Sequence, residues 1–94
     1  MMSENIEVEI TGREAKLILK YGYPFPDQEK IFLPISGKSG LHLLHIDKYW
    51  LENIVGDLCR SIREVKSESL QEELDSLCDN LESSIKYPHV RVFE

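Results

Sequence analysis

Apolar residues at helical spacing run through the second half of the chain, and this feature constrains the fold most. They recur with a period of about 3.6 residues over 48–66 and again over 68–87, which predicts two long amphipathic helices. The joint between these segments is short, so we expect an antiparallel helical hairpin. The inward positions are Leu51, Ile54, Val55, Leu58, Ile62 and Val65, then Leu70, Leu74, Leu77, Cys78, Leu81 and Ile85.

Two segments near the ends of the chain alternate apolar and polar residues, which is typical of half-buried strands. They are IEVEI at 6–10 and HVRVF at 89–93. We predict that they pair, because the glutamates of the first would then face the histidine and arginine of the second. A two-stranded sheet is marginal alone, so the hairpin must cover it or LHLLHI at 41–46 must add a third strand.

A further helix is predicted at 12–21, where Thr11 and Glu14 have the spacing of a capping box. Its apolar stripe is expected to consist of Ala15, Ile18 and Leu19, with Leu17 at the margin. Gly22 is expected to end the helix in the left-handed conformation, which glycine adopts without steric cost. Tyr23 would then pack back on Ile18 and be held extended by Pro24.

These elements predict an α+β fold. A helical hairpin packs on a small sheet of N- and C-terminal strands, with one further N-terminal helix. A short helix from about Asp27 to Leu33 is an additional candidate before Pro34 ends it. The 94 residues are enough for one core, so we expect a single domain over 1–94.

The composition narrows the classes of function. Hydrophobic residues make up 41% and charged residues 30% of the chain, which is typical of a folded globular protein. The net charge of −6 gives no basic face, so we expect no binding to nucleic acid or to an anionic membrane. The N-terminal residues lack the basic and apolar regions of a signal peptide, and we expect a cytoplasmic protein.

The second helix of the predicted hairpin is acidic on its outer side. Residues 67–85 hold six acidic residues and no lysine or arginine. Four of the acids share one face of a helix, namely Glu72, Asp75, Asp79 and Glu82. This acidic stripe is either a solvated face, offset by basic residues of the preceding helix, or a docking site for a basic partner.

Aromatic residues are concentrated in the first half of the chain, with six between positions 21 and 50. The segment YPFP at 23–26 is expected mainly to cover the hairpin as part of the core, because small domains need bulky residues. The alternative is a contact face, with Tyr23, Phe25 and Trp50 as its anchors. Tyr49 and Trp50 are adjacent on a helix, so the core can accept only one of them.

Other chemistry has weaker support. His42 and His45 would point to opposite faces of a strand, so we expect neither a metal site nor another cofactor. Cys59 and Cys78 fall opposite each other across the hairpin and are expected to be reduced thiols near one another. Gly56 weakens its helix, which indicates either a close helix–helix or helix–strand approach there or a neutral substitution without a structural role.

The sequence therefore predicts a small, acidic, cytoplasmic protein-interaction protein of a regulatory or neutralising kind, without enzymatic activity. Its binding residues would be Tyr23, Phe25 and Trp50 with the acidic stripe, and its partner a basic protein. Homodimerisation through the helices is a second mode of association. The alternative function is a small-molecule binding or catalytic domain with a pocket near His42, His45 and Asp47.

Overall fold

The computed structural model describes residues 5–86 and has an α+β fold. These residues form four α-helices and a two-stranded antiparallel sheet. In chain order the elements are β1 (Asn5–Thr11), α1 (Gly12–Tyr21), α2 (Pro26–Phe32), β2 (Leu41–Asp47), α3 (Lys48–Glu64) and α4 (Glu68–Lys86). None of the helices described has the length and apolar character that crossing a bilayer requires.

Strand β1 pairs with β2, the segment that the sequence allowed as a third strand. Ile6 lies opposite Ile46 and Val8 opposite Leu44, and this face is turned towards the helices. The opposite face is exposed and places Glu7 beside His45. The predicted C-terminal strand at 89–93 lies outside the described residues, so its pairing with β1 remains a prediction.

The core lies between the inner face of the sheet and the helices. Helix α4 packs against β1, α3 packs against β2, and α1 also contacts α3. The predicted apolar stripes of 51–65 and 70–85 are buried except for four half-buried residues, Ile62 on α3, Val65 directly after it, and Leu70 and Ile85 on α4. The fully inward positions are Leu51, Ile54, Val55 and Leu58 on α3 and Leu74, Leu77, Cys78 and Leu81 on α4.

Helix α1 has the predicted bounds and the predicted capping box. The Glu14 backbone N–H donates to the Thr11 hydroxyl at 3.0 Å, and the Thr11 N–H donates to the Glu14 carboxylate at 2.8 Å. The buried face of α1 differs from the prediction in two residues. Leu17, expected at the margin, is buried, and Leu19, expected in the apolar stripe, is only half-buried. The helix contacts α2 and α3 as well as β1, so its apolar stripe is broad.

Helix α1 ends at Gly22 as predicted, but the expected left-handed conformation of Gly22 was wrong. Gly22 remains right-handed with φ −94°, and Tyr23 is the left-handed residue with φ +47°. Glycine is needed at position 22 for a close approach, because a Cβ there would lie 3.0 Å from Ile54 Cγ2 and 2.8 Å from the Ile18 carbonyl oxygen. Tyr23 therefore does not pack back on Ile18 but points into solvent.

Two helices precede α3, because α2 forms where the sequence offered a short helix from about Asp27 to Leu33 in addition to α1. Phe25 is extended, as its position before Pro26 predicts, and it directly precedes α2. One turn of 3-10 helix, Leu33–Ile35, follows α2 and contains the Pro34 that was expected to end it. Phe32 is buried and attaches this short segment to the core.

Candidate functional site

An open cleft lies between the segment that follows α1 and the outer side of α3. We call it the aromatic cleft, and it has a volume of about 370 Å³. Tyr23, Pro24 and Phe25 form one wall, while Tyr49 and Trp50 belong to the first turn of α3. The polar lining residues are Gln28, Glu52, Asn53, Asp57 and Arg60.

Three aromatic rings of the cleft form one cluster. The ring centroids of Phe25 and Trp50 are 4.9 Å apart, and those of Tyr49 and Trp50 are 5.0 Å apart. Both pairs are tilted or edge-on, which aromatic quadrupoles favour. Trp50 is half-buried against the core and Tyr49 is exposed, which confirms that the core accepts only one of the two.

The expected core role of YPFP is wrong. Tyr23 and Phe25 are each 59% exposed and Tyr49 is 61% exposed, so these rings leave most of their surface in water. The segment begins at Tyr23, which adopts a left-handed conformation directly after the end of α1. Such a conformation costs a non-glycine residue on the order of 1 kcal/mol or more, and such residues are common at functional sites.

Sequence analysis missed the polar residues of the aromatic cleft. Asn53, Asp57 and Arg60 follow Trp50 at three, seven and ten residues, which is the spacing of one helix face. This periodicity was available from the sequence once Trp50 was singled out. The Arg60 guanidinium donates to the Asp57 carboxylate, so this pair is internally neutral and Glu52 is the remaining charged residue of the cleft lining.

A second cleft lies between α3 and α4, with a volume of about 380 Å³. We call it the α3–α4 cleft, and Val55 and Ile85 give it a largely apolar lining. Glu52 and Gly56 line both clefts, so the two are neighbours across one ridge of α3.

Of the two interpretations of Gly56, the close approach is wrong within the described chain. A Cβ at this position would meet nothing within 4 Å. The residue is exposed on the ridge between the two clefts, where the absence of a side chain keeps the ridge low.

The acidic stripe faces solvent over its whole length. Glu72, Asp75, Asp79 and Glu82 are exposed, and none of the four forms an ion pair within the described part of the chain. Glu82 lines the α3–α4 cleft, so this end of the stripe comes close to the aromatic cleft, whereas the other three lie elsewhere on α4.

A neighbouring acid, Glu73, is used within the fold. Its carboxylate accepts two hydrogen bonds from Arg13 at 2.7 and 3.0 Å, which connects α4 to α1. The hydrogen bonds from this guanidinium lower the pKa of Glu73. The stripe was expected to be offset by basic residues of α3, but Arg60 instead pairs with Asp57 on its own helix.

The residues of the alternative pocket are separated. His42 Nε2 lies 3.1 Å from the Ser39 carbonyl oxygen, and His45 Nε2 lies 3.3 Å from the Glu7 carboxylate on the outer face. The histidines therefore point to opposite faces of β2, as predicted. Asp47 accepts from the Tyr49 N–H at 3.0 Å and caps α3. Neither cleft described above includes any of the three.

Cys59 and Cys78 are close, as the sequence predicted. Their sulfurs are 3.8 Å apart, both are free thiols, and Cys59 is exposed whereas Cys78 is 3% exposed. Burial, with a smaller contribution from Cys59, raises the pKa of the Cys78 thiol to about 12. Within residues 5–86, no group of three or more His, Cys, Asp or Glu side chains is arranged to hold a metal ion.

Comparisons of the chain with known protein families, with curated proteins and with solved structures found no match. The features of the chain that bear on function are therefore the two clefts, the acidic stripe and the cysteine pair.

Proposed function

We propose that this chain is a protein-interaction module that binds a basic segment of another protein in the aromatic cleft. The single observation that carries the proposal is the cluster of Phe25, Trp50 and Tyr49, whose rings are in contact yet open to solvent at the cleft. Exposed aromatic anchors of this kind are enriched at the energetic centres of protein interfaces.

The charge of the surroundings favours a basic occupant. Glu52 lies in the cleft, Glu82 lies just across the α3 ridge, and the whole chain has a net charge of −6. An arginine or lysine side chain that stacks on Trp50 or Phe25 would gain a cation–π interaction and the attraction of Glu52. The acidic stripe would speed the encounter, because complementary charge acts mainly on association rate and specificity.

The high exposure of the rings in the aromatic cleft favours a polypeptide over a small molecule as the ligand. Small-molecule sites usually enclose most of their ligand, whereas three rings of this cleft are more than half exposed. A small ligand seated among them would leave much of their surface in water. A protein segment that crosses the α3 ridge at Gly56 would cover both clefts.

In this proposal α3 and α4 form the antiparallel hairpin that the sequence predicts, packed on the sheet as a rigid support. The opposition of Cys59 to Cys78 and the 2.8 Å hydrogen bond from Gln71 Nε2 to the Val65 carbonyl oxygen support this arrangement. Because the apolar stripes are already buried within one chain, a second copy is not needed to cover them. A regulatory or neutralising role towards a basic protein fits such a module.

Trp50 is the single tryptophan of the chain, so its fluorescence reports directly on the aromatic cleft. We expect a hexaarginine peptide to change the Trp50 emission saturably and a hexaglutamate peptide to have no effect. Phe25→Ala and Glu52→Gln should each weaken hexaarginine binding by about tenfold, which corresponds to the loss of one well-buried contact.

Leu33→Ala is the matched control for Phe25→Ala, because Leu33 is as exposed as Phe25 but does not line the cleft. It should leave peptide affinity unchanged. If Phe25→Ala bound as tightly as the wild type, the attraction would come from net charge alone and the cleft would have no role.

The natural partner can be sought with a photo-crosslinking amino acid at position 25 and, separately, at position 33 in living cells. The proposal expects a basic protein to be linked at position 25 and not at position 33. The same products at both positions would contradict a specific cleft.

A further inference from the structure

We propose that Cys59 and Cys78 form a dithiol modification site at which hydrogen peroxide produces a reversible disulfide between α3 and α4. This inference does not depend on the proposed binding function. It rests on the placement of the two sulfurs, the difference in their exposure and the cleft that gives access to one of them.

The sulfurs of Cys59 and Cys78 lie near the distance of a disulfide bond. The sulfurs are 3.8 Å apart, in van der Waals contact, on residues of neighbouring helices. A disulfide requires about 2.05 Å, so the two atoms must close by less than 2 Å in total. Cys59 is exposed and lines the α3–α4 cleft, so rotation of its side chain can supply such a movement.

The two thiols have different roles. Cys59 lines the α3–α4 cleft and is reached from solvent, whereas Cys78 is buried directly behind it. The raised pKa of Cys78, about 12, keeps that thiol protonated, so it reacts only slowly with peroxide. Cys59 is therefore the residue that reacts with peroxide, and Cys78 is the resolving thiol.

The reaction balances without any other reagent. The Cys59 thiolate attacks one peroxide oxygen, the O–O bond breaks, and the departing hydroxide takes a proton to leave as water. Cys59 is now a sulfenic acid. The Cys78 sulfur then bonds to the Cys59 sulfur and displaces hydroxide, which takes the Cys78 proton. Two thiols and one peroxide give one disulfide and two waters.

The charge of the site selects the oxidant. Glu52 and Glu82 line the α3–α4 cleft against a single cation, Lys86, and Asp75 is close enough to Cys78 to influence its titration. An anionic oxidant such as glutathione disulfide is repelled by this surface, whereas hydrogen peroxide is small and neutral. We therefore expect peroxide to be much the faster oxidant at equal concentration.

The test treats the folded, fully reduced chain with hydrogen peroxide and digests it with trypsin without reduction. We expect one cross-linked species that joins peptides 49–60 and 67–86, with a mass loss of about 2 Da relative to the free peptides. The oxidised protein should melt at a temperature higher by on the order of 10 °C, and dithiothreitol should reverse the shift.

Cys78→Ala is the decisive variant, because it leaves the accessible thiol and removes the resolving one. In this variant Cys59 should gain oxygen, by about 32 Da on conversion to the sulfinic acid, and the melting temperature should not rise. Cys59→Ser should leave Cys78 reduced under the same treatment, which controls for direct oxidation of the buried thiol.

Two results would overturn the proposal. One is oxygen gain on Cys59 of the wild-type chain without the cross-linked species. The other is a cross-link that appears only after the chain is unfolded in urea, which would mean that the folded helices hold the sulfurs apart.

Discussion

Gly12 and Gly56 are both helical residues of the same type, yet their surroundings are opposite. A Cβ on Gly12 would overlap the backbone of Lys38 and lie 2.8 Å from the Ile35 carbonyl oxygen, because the loop before β2 folds onto the start of α1. A Cβ on Gly56 would lie in open space. The fold requires glycine at position 12. Glycine at position 56 weakens α3, and no close contact within the described chain requires it.

We expect Gly56→Ala to raise the free energy of unfolding by about 1 kcal/mol, since alanine favours the helix and meets no neighbour. Gly12→Ala should lower it by about 1–3 kcal/mol, because the backbone around Lys38 must shift. Urea denaturation of both variants checks the pair. A loss of stability in Gly56→Ala would mean that this face of α3 is covered.

Tyr23 combines an exposed ring with a left-handed backbone. Its backbone affects stability and its ring affects binding, so substitutions can change the two properties independently. Tyr23→Gly removes the unfavourable conformation and should raise the free energy of unfolding by up to about 1 kcal/mol. The same change should weaken the binding of hexaarginine at Trp50. Tyr23→Ala retains the backbone penalty and should weaken binding without the gain in stability, which distinguishes the two effects.

At the scale of elements, the molecule is held together by a few specific contacts in addition to apolar burial. The Asn80 side-chain amide of α4 donates to the Glu9 carbonyl oxygen of β1 at 3.2 Å, and Arg13 connects α1 to Glu73. The Ser61 hydroxyl donates to the Tyr21 carbonyl oxygen at 2.9 Å, which satisfies the end of α1 from α3. These polar contacts fix how each helix is positioned on its neighbours.

The buried thiol at the interface of α3 and α4 predicts a dependence of stability on pH. The folded-state pKa of Cys78 is raised from 9.0 to about 12, so its contribution is complete below about pH 9 and is lost as the pH rises towards 12. Under reducing conditions, the unfolding free energy of the wild type should fall more steeply across this window than that of Cys78→Ala. Parallel curves would contradict the assignment of the buried thiol.

At the scale of the whole molecule, all the helices and both strands contribute to one core. Leu77 lies fully buried in it, on the side of α4 opposite the exposed acids. We expect Leu77→Ala to lower the free energy of unfolding by about 2–5 kcal/mol while the transition stays cooperative. Glu72→Ala on the same helix is the control and should change it by less than about 0.5 kcal/mol. Equal effects of the two changes would show that α4 is oriented differently.

The sequence by itself determined the local structure. Capping by Thr11, Glu14 and Asp47, together with the apolar periodicity of the last two helices, depends on residues within one or two turns of each other. The approach of Cys59 to Cys78 could also be predicted from the sequence, because a short joint between two helices determines which residues face each other. The acidic stripe was found for the same reason, as its members lie on one helix.

Only the tertiary structure decided which strand pairs with β1 within the described residues, and where the aromatic residues lie. Several strand pairings satisfy the same alternation, and the choice depends on contacts distant in sequence. Tyr23 and Phe25 were assigned to the core because their type favours burial, but both side chains are exposed in the segment that follows α1, where Tyr23 has a left-handed backbone. The aromatic cleft exists because the segment after α1 places the Phe25 ring beside Trp50, a contact between segments that no local pattern encodes.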